Sequence, residues 1–93
     1  MSIIARHLMI LGRVQGVFYR NWTVETANSL HLAGWVRNRM DGSVEILVEG
    51  STEAVDQFIA FAHDGPPAAR VARIEISEIA PEGLSSFSKR PTA

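Results

Sequence analysis

Gly12-Arg13-Val14-Gln15-Gly16-Val17-Phe18-Tyr19-Arg20 is the stretch of this chain best equipped to hold an anion. Two glycines bracket a short turn, and an arginine closes it. If the turn delivers the chain into a helix, unpaired backbone N–H groups converge there and the helix dipole is positive. Such a place binds phosphate or carboxylate. Gly16 lets the backbone approach a ligand closely. The planar fork of Arg20 can span two anion oxygens. Taken alone, G-x-x-x-G with a following arginine is more often an ordinary turn and a solvated surface side chain. It is not a P-loop, because no G-K-[ST] follows, and it lacks the G-x-G-x-x-G dinucleotide fingerprint. A second stretch, Gly34-Trp35-Val36-Arg37-Asn38, stops just before the turn signal Asp41-Gly42. The Asn38 amide could accept from a water and donate to a phosphoryl oxygen, although asparagine is also common beside turns. Trp22 and Trp35 read as packing residues. His7, His31 and His63 are dispersed without metal-ligand spacing, so no metal and no cofactor is expected.

These residues need elements to carry them. Arg6 to Val14, apolar in its middle, predicts a buried strand. Val24, Ala27 and Leu30 at three-residue steps predict a helix over 21–32, with Asn21 as N-cap and Glu25 near its positive end. Gly34 to Asn38 and the alternating Ser43 to Glu49 predict a hairpin through Asp41-Gly42, with Val44, Ile46 and Val48 inward. Ser51 or Thr52 caps a second helix, whose face is Val55, Phe58, Ile59 and Ala62. Gly65 and Pro66-Pro67 end it. Arg70 to Glu78 reads as a strand with Ala72, Ile74 and Ile76 inward and a bulge or strand end at Ile79. Phe87 marks a possible short fifth strand, and Pro91-Thr92-Ala93 is expected to fray. The order β-α-β-β-α-β predicts an α+β, ferredoxin-like sandwich: an antiparallel sheet with two helices on one face. The fold by itself implies no chemistry.

Composition narrows the classes. The 93 residues, 46% of them hydrophobic, suit one domain over 1–93 with a core that needs no staples. No cysteine is present, so disulfides, thiolate metal sites and cysteine nucleophiles are out. No apolar run is long enough for a membrane span, and the N-terminus does not resemble a signal peptide. A cytoplasmic monomer is expected. The net charge of −1 argues against a general nucleic-acid binder. It hides an asymmetry: residues 1–42 carry five arginines and two acids, whereas residues 43–93 carry four cations and eight acids. Arg13, Arg37 and Arg39 could therefore add an attractive field for an anionic substrate.

The two stretches together resemble acylphosphatase. The family's first motif is matched by Gly12 to Arg20, and its second by Gly34-Trp35-Val36-Arg37-Asn38 with Asp41-Gly42-Ser43-Val44-Glu45 following. The resemblance spans residues 6 to 79, with Tyr19 where the family more often has phenylalanine. It implies hydrolysis of the carboxyl–phosphate bond of small acyl phosphates. By that resemblance, the backbone of Gln15, Gly16, Val17, Phe18, Tyr19 and Arg20 and the Arg20 side chain hold the phosphoryl group. Asn38 positions the attacking water, and Thr23 supports the site. Inorganic phosphate or sulfate is the expected site ligand. A non-catalytic anion-binding or interaction module of the same fold is the alternative. RNA binding through the sheet is disfavoured, because V-E-I-L-V-E over 44–49 carries no aromatic.

Overall fold

A computed structural model describes residues 2–93. The elements are β1 (Ile3–Arg13), α1 (Tyr19–Ser29), β2 (Ala33–Asn38), β3 (Val44–Ser51), α2 (Thr52–Ala62), β4 (Arg70–Ile79) and β5 (Phe87–Lys89). They form the expected ferredoxin-like sandwich, with sheet order β4-β1-β3-β2-β5. The first four strands pair antiparallel. The short fifth strand lies parallel to β2.

The central strand is β3. Val44, Ile46 and Val48 are fully buried against the helices, as their alternation predicts. Glu45, Leu47 and Glu49 point to the opposite face, yet they too are buried. Two carboxylates on a half-covered sheet must find partners, and both do. Glu45 receives His7 Nε2 at 2.6 Å, Arg37 Nε at 2.7 Å and Arg39 Nη1 at 3.3 Å. Glu49 accepts the backbone N–H groups of Glu82, Gly83 and Leu84 at 2.7, 2.9 and 2.9 Å. That carboxylate ties residues 82–84 to the sheet, and Gly34 N–H donating to Ser86 O at 3.0 Å adds a second tie to the same segment. We therefore expect Glu49→Ala to cost about 2–3 kcal/mol, the range for charge-assisted bonds lost from a buried acceptor. Urea unfolding reads it; an unshifted midpoint would mean the segment is held by other contacts.

Three expectations are corrected. The first helix begins at Tyr19, and its N-cap is Phe18 in the left-handed region (φ 66°), with no side-chain cap. Asn21 is thus inside the first turn rather than capping it, and no acid stands in that turn. In β4, Ala72 and Ile76 are exposed, while Val71 and Ile74 pack on the core. Two causes act. The strand is at the sheet edge, beyond the cover of α2, and a bulge opposite Leu11/Gly12 shifts its phase. The bulge therefore lies near Ala72, and Ile79 is the strand end, one of the two outcomes expected there. Gly12 is dictated by this crossing, since a Cβ there would sit 2.2 Å from the Arg70 carbonyl oxygen. Finally, Pro91-Thr92-Ala93 does not fray. Arg90 N–H donates to Val36 O at 2.8 Å and Ala93 N–H to Asn38 O at 3.0 Å, while Ala93 O accepts from Met40 N–H at 2.9 Å. The tail satisfies the outer edge of β2, which would otherwise be unpaired.

The second helix follows its signals. Ser51 Oγ accepts from Ala54 N–H at 3.2 Å, and Val55, Phe58 and Ala62 are buried. Trp22 packs between Tyr19 and Phe58. Trp35 lies on the other face of the sheet, flanked by the Arg37 and Arg90 guanidinium groups at 4.9 and 4.7 Å from its ring.

Candidate active site

The turn from β1 into α1 is a concave piece of backbone. Gly16 (φ 72°) and Phe18 (φ 66°) are both left-handed, and alternation of this kind curls successive N–H groups toward one side. Gly16 tolerates this freely, but an aromatic residue there is a genuine outlier. Phe18 is nevertheless 78% exposed, so burial of its ring does not compensate for the strain. Among the described residues, no backbone carbonyl or side chain accepts from the N–H groups of Gln15 to Arg20. Six consecutive donors at a helix start are therefore without a partner in the protein, the condition under which such a turn can bind an anion.

The rest of the loop is fixed from behind. Gln15 Nε2 donates to Arg39 O at 2.7 Å and to Ser43 O at 2.8 Å, tying the loop to the β2–β3 turn. Asp41 Oδ1 accepts Ser43 N–H and Oγ–H at 2.9 and 2.6 Å, which sets that turn. These Ser43 hydrogen bonds hold the Asp41 carboxyl below its usual range. Tyr19 Oη donates to Ala62 O at 2.7 Å, anchoring the start of α1 to the end of α2. Burial pushes this phenol well above its ordinary value, so it stays a neutral donor. Thr23 Oγ1, wholly buried, donates back to Tyr19 O at 2.8 Å.

A cleft of about 310 Å³ opens between this loop, the first turn of α1 and the edge of β2. Gln15, Gly16, Phe18, Tyr19, Arg20 and Asn38 all line it. The Val17 side chain belongs to the core instead, leaving its backbone as the group on offer. Thr23 stands behind the wall and reaches the cleft only through Tyr19. Arg20 makes no ion pair and no hydrogen bond among the described residues, and neither does the Asn38 side chain. No carboxylate lines the cleft. Arg37 and Arg39, by contrast, are occupied by Glu45. Burial raises the Glu45 carboxyl pKa, but hydrogen bonds from His7 and Arg37 outweigh it and leave the group below its ordinary value. Of the three arginines expected to add a diffuse field, only Arg13 has no carboxylate partner among the described residues. Those residues contain no group of three or more His, Cys, Asp or Glu side chains able to hold a metal ion.

Asn21 and Lys89 also line the cleft, and the sequence did not point to either. Asn21 reads in the sequence as a helix cap. Lys89 lies at the far end of the chain, and only its parallel pairing beside β2 brings it here. The loose phase Phe87-x-Lys89 was the available signal, because residues two apart on a strand share a face.

Comparison with known proteins gives one answer. Residues 6–89 match the family model for acylphosphatase. An acylphosphatase from Azoarcus sp. (strain BH72) is 53% identical over 91 residues, covering 98% of this chain and 93% of that one. The crystal structure of acylphosphatase from Bacillus subtilis superposes with a TM-score of 0.91 at 39% identity, covering 94% of this chain and 98% of that one. Full-length HypF in its phosphate- and nucleotide-bound form matches at TM-score 0.90 and 29% identity, over 98% of this chain but 12% of its own. On the family match, the relatives and the shared fold, the chain belongs to the acylphosphatase family.

Proposed function

We propose that this acylphosphatase hydrolyses small acyl phosphates by direct attack of water on a phosphoryl group held by the Gln15–Arg20 backbone and the Arg20 guanidinium, with Asn38 orienting the water. One observation carries the reading: Gln15, Gly16, Phe18, Tyr19 and Arg20, whose N–H groups are unpaired, line one cleft with the unpaired Arg20 guanidinium and Asn38 amide and without a carboxylate.

The chemistry needs little more. The leaving carboxylate has a conjugate acid with a pKa of about 4, near that of Asp or Glu, so no general acid is needed. The water oxygen bonds to phosphorus, and the P–O bond to the acyl group breaks with its electron pair. The water's proton passes to a phosphoryl oxygen. Positioning and charge stabilisation remain, and they dominate phosphoryl transfer. Asn38 suits the water because its carbonyl accepts a hydrogen bond from it and so aims the water oxygen at phosphorus. Thr23 acts at one remove, by fixing Tyr19 at the helix start.

Benzoyl phosphate hydrolysis is the direct test. The expected acceleration over the spontaneous reaction is about 10⁶-fold or more. Chelator should leave the rate unchanged, and loss of activity in it would reveal a metal. Inorganic phosphate and sulfate should compete. The second reading, an anion-binding module, draws on the likeness to a small part of HypF; phosphate binding without turnover would favour it. We place the enzyme in the cytoplasm, as a monomer. No described helix is long and apolar enough to cross a membrane.

A further inference from the structure

Arg20 and Lys89 are the two side chains of full charge on the cleft wall. Lys89 comes from β5, where it pairs in parallel register with Val36, two residues before Asn38. Phe87, two positions earlier on the same strand, is buried in the core. Lys89 therefore projects from the helix-covered face of the sheet, the same face as Val36 and Asn38. Its ammonium donates to Asn21 Oδ1 at 3.1 Å, from the first turn of α1. Asn21 is neutral, and no carboxylate pairs with Lys89 among the described residues. The charge is thus steered by one hydrogen bond but not neutralised, with two of its three N–H donors left over.

The ligand supplies the reason. A phosphate group at neutral pH carries a charge of about −1.5 to −2. Backbone N–H groups contribute dipoles but no net charge, and Arg20 contributes one. On the cleft walls, one unit of positive charge is still needed to balance a dianion, and one further cation is present. We propose that Lys89 is a second phosphoryl-binding cation, directed by Asn21 and meeting the phosphate from the β5 side. The assignment rests on the phosphoryl-binding reading of the cleft. It also gives the non-capping position of Asn21 a task.

The test uses the full chain with Lys89→Met and Lys89→Arg, inorganic phosphate as the probe, and its Kd by calorimetry at low and high salt. The methionine variant should bind phosphate about tenfold more weakly, with a flatter salt dependence than wild type, as loss of a partly screened charge requires. The arginine variant should stay within about threefold, since the charge is kept. Equal phosphate affinity in wild type and methionine variant overturns the proposal. So does equal weakening in both variants, which would show that shape rather than charge matters. If phosphate affinity holds while KM rises only for acyl phosphates bearing a second anion, Lys89 meets the acyl group and the phosphoryl assignment is wrong. Failure of the underlying reading looks different: wild type then neither binds phosphate nor hydrolyses benzoyl phosphate. Calorimetry needs no turnover, so Lys89 is tested even if the cleft only binds.

Discussion

Arg20→Lys should lower kcat/KM for benzoyl phosphate by about 10²–10³-fold, the scale for losing a preorganised donor to a developing oxyanion. Charge is conserved in this change, so the loss reports geometry. A guanidinium presents donors in a plane matched to two phosphoryl oxygens, whereas an ammonium is a point charge on a flexible stem. Arg20→Ala should fall at least as far. The fold should not follow, because Arg20 has no hydrogen bond or ion pair among the described residues to lose. Its effect on unfolding should stay within about 0.5 kcal/mol, as for other surface changes. Near-full turnover by the lysine variant would remove Arg20 from the mechanism. Reduced turnover with a collapsed melting temperature would make its role structural.

Asn38→Ala should reduce kcat by a similar factor, about 10²–10³, while leaving the Ki of inorganic phosphate nearly unchanged. The split follows from when the contact forms. An amide that orients the incoming water acts on the transition state and not on bound phosphate. Its strand should survive the change, because the hydrogen bond from Ala93 N–H is to the Asn38 backbone oxygen. If phosphate affinity weakened in step with kcat, Asn38 would be a ligand of the ground state instead.

Local signals carried much of this molecule. The period of Val55, Phe58 and Ala62, the Ser51 cap and the alternation of Val44, Ile46 and Val48 depend on neighbours a few residues away, and they are legible in the sequence. So is the Gly12 to Arg20 loop, where Gly12 makes room for a crossing that a Cβ would block and Gly16 takes a left-handed conformation without steric cost. The misread parts depend on what lies across the sheet. Ala72 and Ile76 alternate like inward residues, but nothing in their spacing says that β4 is an edge or that a bulge resets its phase. Glu45 and Glu49 fall opposite the inward valines and isoleucine, and nothing in that alternation says that arginines and the 82–84 backbone cover them. Asn21 has the side chain of a cap, but Phe18 takes the capping position by adopting a conformation that its side chain does not favour. Lys89 and the terminal residues reach β2 by pairing across more than fifty positions, a placement that no periodicity encodes.

The unsatisfied N–H groups of Gln15 to Arg20 have a consequence for stability as well as catalysis. In the free protein only water can serve those amides, and an anion that replaces it binds the folded chain and not the unfolded one. Such a ligand adds RT ln(1 + [L]/Kd) to the free energy of unfolding, about 2.7 kcal/mol at a hundredfold excess over Kd. Melting temperature is therefore a joint property of the chain and its buffer. A measurement made in phosphate or sulfate reports loop and ligand together, and one made in chloride comes nearer to the chain alone.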